Sequence, residues 1–148
     1  MAHGEARLFI RRPAREIADF VLDLHRYRTV DAKLGRIYWT RREGNEVTFR
    51  FRPRLLGLPG PPTIQRVVLA EDGSGIQIGG QPSWTDRVAA FSAYFSFEEA
   101  DGGTWVTRHV EFTFARPLAA LLDPLFTKWL ARDVTGELSA AKRVLESS

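Results

Sequence analysis

Apolar and polar positions alternate over 5–11 (EARLFIR), placing Leu8 and Ile10 on one face and predicting a short strand. Arg12-Pro13 interrupts it, and a proline suits the first helical position. Ile17, Phe20, Val21 and Leu24 then recur at helical spacing, which predicts an amphipathic helix over 13–25. A second short helix is expected at about 26–32. The period then returns to two. Strands over 34–42 and 46–52 flank Gly44-Asn45, a hairpin signal, with Val47, Phe49 and Phe51 on one face. A second hairpin joins 63–71 to 75–80 around Asp72-Gly73, and a third joins 84–98 to 104–115 around Asp101-Gly102-Gly103. Between the first two lies Leu55-Leu56-Gly57-Leu58-Pro59-Gly60-Pro61-Pro62, an unusually apolar loop. After Arg116-Pro117, Asp123-Pro124 reads as an N-cap and first-turn proline. One long helix should run from there to about Glu146, with a wide apolar stripe through Leu125, Phe126, Trp129, Leu130, Val134, Leu138, Ala141, Val144 and Leu145.

The third hairpin can be registered. An even number of turn residues pairs Phe97 with Val106, Phe95 with Arg108, Ala93 with Val110 and Phe91 with Phe112. The opposite face then carries Ser96–Thr107, Tyr94–His109 and Ser92–Glu111, and being polar it should face water. Arg108 breaks the inner row. A lone buried charge is very costly, so it needs a partner. One reading is an ion pair with Asp133 or Glu137 on the long helix, with the Phe95 ring beneath the guanidinium. The other is a donor fork for a ligand's carboxylate, enolate or phenolate. His109 has a side chain suited to proton transfer, but the register turns it outward beside Tyr94. Trp84-Thr85-Asp86-Arg87 opens a strand and reads as local structure bordering a pocket. Trp39 and Trp129 read as core, with Trp129 also placed to form a pocket wall. Ala89, Ala93, Gly79 and Gly80 leave unfilled space on an inner face, as a cavity requires. The first hairpin admits two registers. An even turn brings Tyr38 and Thr40 inside with Phe49, and an odd one brings Ile37 and Trp39.

The chain of 148 residues has the length of one ordinary domain, and its 44% hydrophobic and 26% charged residues are globular values. It lacks cysteine, which excludes disulfides and thiolate metal sites. His3, His25 and His109 lack metal-ligand spacing, so no metal and no cofactor are called for. The net charge of +3 comes from scattered arginine with no reading motif, so nucleic acid is not an expected partner. Residues 1–6 lack an apolar signal region and no run approaches a membrane span, so a cytoplasmic protein without stable membrane insertion is expected.

Four segments carry a resemblance: Ile10-Arg11-Arg12-Pro13-Ala14-Arg15-Glu16-Ile17, Asp19-Phe20-Val21-Leu22-Asp23, Gly102-Gly103-Thr104-Trp105-Val106, and the proline-broken entry to the long C-terminal helix through Leu138 and Leu145. Together they resemble the START-like helix-grip superfamily, the group of polyketide cyclases/dehydrases and lipid-transport proteins. The resemblance implies an α+β helix-grip fold. A curved antiparallel sheet of about seven strands wraps a long C-terminal helix, two short helices follow the first strand, and an apolar cavity lies between sheet and helix. It implies ligands such as lipids, sterols, polyketides, quinones or plant hormones. Arg108 stands where relatives often carry an aromatic, which makes the pocket more polar at depth. The family has no universal catalytic residue to carry over.

Three functions are open: a carrier or binding module for a hydrophobic small molecule, a polyketide cyclase or dehydratase using the same cavity, and a module docking a protein partner through the 55–62 loop. A homodimer is also open. The residues expected at the ligand are Arg108, Phe49, Phe51, Phe91, Phe95, Val110, Phe112, Leu125 and Trp129. Arg108, His109 and Tyr94 are the candidates for chemistry.

Overall fold

The computed structural model describes residues 1–80 and 89–147. Strand β1 (Ala2–Ile10) begins three residues before the expected strand. Helix α1 (Ala14–Leu22) follows, with Pro13 just outside it as N-cap. The single helix expected over 13–25 is two helices. Asp23 leaves helical geometry, and its carboxylate accepts from the Arg26 backbone N–H at 3.3 Å, capping helix α2 (Leu24–Tyr27). The second helix is therefore earlier and shorter than its expected 26–32.

Strands β2 (Leu34–Glu43) and β3 (Glu46–Leu55) turn through Gly44-Asn45. The turn is even, yet neither expected register holds throughout. Two bulges in β2 place Ile37 opposite Phe51 although Thr40 faces Phe49. Ile37 is half-buried, while Tyr38, Trp39 and Thr40 are exposed. Trp39, expected in the core, instead lies outside with the Arg41 guanidinium 5.9 Å from its ring centroid. The apolar loop folds back as a two-residue strand, β4 (Leu58–Pro59), paired to the end of β3. Leu56 and Gly57 form the turn, both at positive φ. For Leu56 that conformation costs about 1–2 kcal/mol. Its half-buried side chain packs, with Leu55, against the apolar core that contains Phe114 and Phe126, which offsets the strain.

Strands β5 (Thr63–Leu69), β6 (Gly75–Gly80), β7 (Ala89–Ala100) and β8 (Gly103–Phe114) complete a sheet ordered β1-β8-β7-β6-β5-β3-β2, antiparallel throughout. The β7–β8 register is the expected one, with Phe91, Ala93, Phe95 and Phe97 opposite Phe112, Val110, Arg108 and Val106. A two-residue turn, Asp101-Gly102, sets it, and Gly102 supplies the positive φ. The expected strand start at 84–88, including Trp84-Thr85-Asp86-Arg87, lies outside the described residues.

Helix α3 (Leu118–Glu146) begins five residues before the proposed cap, with Pro124 inside it. Asp123 does not cap the helix; its carboxylate holds the chain's N-terminal ammonium. The helix crosses β1 at Gly4, where a Cβ would lie 2.7 Å from Leu130 Cβ and 2.8 Å from the Leu130 backbone. Only glycine allows that approach. The far end of α3 is tied to the end of β1: Lys142 Nζ donates to the Phe9 carbonyl at 2.6 Å, and Glu146 accepts from the Arg11 backbone N–H at 2.8 Å. Phe126, Leu130 and Val134 fill the space against Ala2, Ala93, Val110, Phe112 and Phe114. Among the described residues, no helix is long and apolar enough to cross a membrane.

Candidate functional site

On the same concave face of the sheet, beyond the α3 core, the side chains leave a cavity of about 420 Å³. That is within the range of small-molecule sites. Its walls are Val21, Leu24 and Tyr27 from the two short helices, Phe49 and Phe51 from β3, Val67 from β5, Ile78 and Gly80 from β6, and Phe91 and Phe112 from the third hairpin. Pro53, Leu55 and Pro61 add a rim where β3 runs into the apolar loop. Period-two alternation explains the aromatic wall: Phe49 and Phe51 point inward from one strand face, their ring centroids 4.8 Å apart.

The cavity lies between the sheet and the α1–α2 pair, not between the sheet and α3 as expected. Of the residues expected at a ligand, Phe49, Phe51, Phe91, Phe112 and Arg108 are on its wall. The others are elsewhere. Phe95 lies beneath Arg108, and Val110 is in the filled core under α3. Trp129 packs on that core, and Leu125 is half exposed on α3. The space left by Ala93 is occupied by the α3 core, whereas Gly80 borders the cavity. His109 and Tyr94 are on the outer face. Tyr94 stacks on the imidazole at 5.0 Å and donates to Glu5 at 3.2 Å, and His109 Nε2 lies 3.1 Å from Glu111.

One part of the wall is charged. Arg108 is 2% exposed and makes the expected ion pair with Glu137, Nε to Oε2 at 3.0 Å, over the Phe95 ring at 4.4 Å. Its Nη2 faces Asp31 at 3.7 Å, and its buried Nη1 makes no hydrogen bond. Lys33 stands beside it. Its Nζ lies 3.0 Å from Asp31, 2.5 Å from Asp133 and 2.7 Å from Glu137. Those three carboxylates converge closely enough to hold a metal ion, and the lysine ammonium occupies the place between them. The Tyr27 hydroxyl donates to Glu137.

These groups shift one another. Burial would raise Glu137, but Arg108 and Lys33 hold it below the usual carboxylate range. Asp31 is pushed up, first by burial and then by Glu137. Burial would lower Lys33, yet the carboxylates around it raise it. Tyr27 is raised by burial and by Glu137. Tyr27, Asp31, Lys33 and Arg108 thus present polar groups to one end of the cavity, and Thr63 and Gln65 add uncharged polar side chains to an otherwise apolar wall. Arg108 is legible in the sequence as the charge in an apolar row. Tyr27, Asp31 and Lys33 are not, because they lie at and after the end of the helix pair, in a segment with no hydrophobic period to orient them.

A curved antiparallel sheet gripping a C-terminal helix, with a cavity under two short helices, is the helix-grip architecture. The chain belongs to the family described as polyketide cyclase / dehydrase and lipid transport, whose model matches residues 1–146. Solved structures agree on the fold. TTHA0849 from Thermus thermophilus superposes at a TM-score of 0.79 with 17% identity, covering 99% of each chain. The Zhui aromatase/cyclase from a Streptomyces species reaches 0.78 with 13% identity, over 97% of this chain and 93% of that one. A START superfamily protein from Mycobacterium smegmatis reaches 0.72 with 17% identity over the whole of both. At these identities the likeness is one of fold. Among curated proteins, none matches the sequence.

Proposed function

We propose that the protein binds one hydrophobic small molecule, of the lipid, polyketide, quinone or aromatic kind, in the cavity under α1 and α2. The observation that carries this is a cavity of about 420 Å³ with mostly apolar walls, to which Arg108, whose buried Nη1 has no hydrogen-bond partner, contributes. Apolar walls supply affinity, and a few placed polar groups supply orientation. The test is native mass spectrometry of the purified protein with identification of what is extracted from it, alongside uptake of the neutral dye Nile red. A co-purifying apolar molecule, or dye uptake blocked by Val67→Phe, supports the reading. A protein that carries nothing and takes up no dye would sink it.

A second reading is favoured by Tyr27, Asp31 and Lys33, which stand at the same wall as Arg108. A cyclase or dehydratase acting on a poly-β-ketone needs a group to move a proton beside a donor for the developing oxyanion. Asp31, with its raised pKa, is the residue assigned the proton. Asp31→Asn separates the readings. Loss of turnover of a poly-β-ketone analogue, with affinity kept within about threefold, marks an enzyme, since only the chemical step is then affected. Absence of turnover in the native protein marks a carrier.

A further inference from the structure

We propose that Glu137, a residue of α3 outside the cavity wall, sets the charge class of the ligand: it neutralises Arg108 from behind, so that the cavity takes an uncharged molecule bearing a carbonyl-type acceptor and rejects the matching carboxylate. This rests on the binding reading above and goes further by naming which ligands of similar shape are excluded.

The balance of buried charge decides this. From β8 comes Arg108, and from the segment after α2 come Asp31 and Lys33. Helix α3 contributes Asp133 and Glu137. Two cations therefore already face three carboxylates. Asp31, Lys33, Arg108 and Glu137 are each at most 5% exposed, so water screens them little. An inward arginine looks like an anion receptor, but this one has its Nε on Glu137 at 3.0 Å and its Nη2 toward Asp31 at 3.7 Å. Neither a free positive charge nor a free two-pronged fork remains for a carboxylate. A buried carboxylate in the ligand would lose its hydration and meet carboxyl groups that already outnumber the cations. What remains of the guanidinium is Nη1, whose two N–H bonds have no hydrogen-bond partner. One such nitrogen suits a carbonyl oxygen, an acceptor without charge. An acceptor there satisfies a group that is otherwise costly to leave buried and unpaired. A plain hydrocarbon leaves it unpaired.

The test uses three probes of nearly one shape, 2-acetylnaphthalene, 2-naphthoate and 2-ethylnaphthalene, each competed against Nile red at neutral pH. The ketone should bind about tenfold more tightly than the carboxylate, and several-fold more tightly than the hydrocarbon. In Glu137→Gln the guanidinium loses its counter-charge, and the ketone-to-carboxylate ratio should fall by about tenfold. Glu137→Asp should restore the native order. Asp31→Asn, which removes the more distant carboxylate, should move the ratio the same way by less, and it serves if Glu137→Gln does not fold. A general loosening of the fold would weaken all three probes together and leave the ratio unchanged. The inference is overturned if the native protein binds naphthoate as tightly as the ketone, or if the ratio is unmoved in the variants that fold. Failure of all three probes and of the dye overturns the cavity reading itself, and this inference with it.

Discussion

The sheet has two apolar regions on its concave side, built from the same kinds of residue, and only one of them is full. Under the first half of α3, Phe112, Phe114, Phe126, Leu130 and Val134 close over Ala2 and Ala93. Under α1 and α2, Phe49, Phe51, Val67 and Val21 face one another across open space. Hydrophobicity does not distinguish the two, since both have phenylalanine pairs and β-branched residues. The approach of the covering element does. At Gly4 the helix backbone comes close enough that a methyl group would collide with it. The short α1–α2 pair, broken at Asp23, covers the far half without filling it. The buried charges lie between the two regions, and Asp31, Lys33 and Arg108 reach the cavity wall.

The largest way to break this comparison is to remove its boundary. Glu137→Leu leaves Arg108 and Lys33 short of a counter-ion, and a stability loss of about 3–5 kcal/mol is expected from urea denaturation. On the filled side, Ala93→Leu and Gly4→Ala should each lower stability by about 1–3 kcal/mol in the same assay, because the helix must shift to admit the added atoms. On the hollow side an even larger addition, Val67→Phe, should change stability by less than about 1 kcal/mol while abolishing Nile red uptake. Equal costs on the two sides would mean that the cavity is collapsed in solution.

The smallest effect concerns pH. Glu146 is held to about 2 by the Lys142 ammonium and the Arg11 backbone N–H. A folded-state value below the ordinary 4.5 stabilises above that pH, and the contribution is lost as pH falls toward about 2. Glu137, also lowered, acts in the same direction. Asp31, raised, acts in the opposite one: its contribution is present below its ordinary 3.8 and lost as pH rises through its folded value. Lys33, raised above 10.5, stabilises below that pH and ceases to do so in stronger alkali. The difference in denaturation midpoint between the native protein and Glu146→Gln should therefore be largest above pH 4.5 and close as pH approaches about 2.

How much of this is legible in the chain depends on which signals are local. The pairing of β7 with β8 is readable because a two-residue turn and a period of two leave no freedom, and it turns Arg108 inward and His109 outward. The Arg108–Glu137 pair follows, because a buried charge on one element demands its opposite on the facing one. The start of α3 is hidden because Pro124, the seventh residue of the helix, lies beyond the first turn in which a proline is normally tolerated, so the sequence argues for a later start. The outward turn of Trp39 is hidden because two bulges at the sheet edge shift the alternation, and no residue in β2 announces them. The place of the cavity is hidden for a different reason. Whether a helix fills a sheet depends on how near it comes, and here that distance is governed by a glycine 126 positions away in sequence from the leucine it meets.

Lys33 has a consequence of its own. A pocket of three carboxylates held by a dissolved ion would follow the composition of its surroundings and empty when that ion became scarce. Here the cation is bonded to the backbone two residues from one of its own ligands. Tethering keeps it at an effective concentration on the order of millimolar or above, whatever the medium holds. The charged end of the cavity thus keeps its shape through changes in ionic supply, as a drawbridge stays aligned when its counterweight is built into the wall.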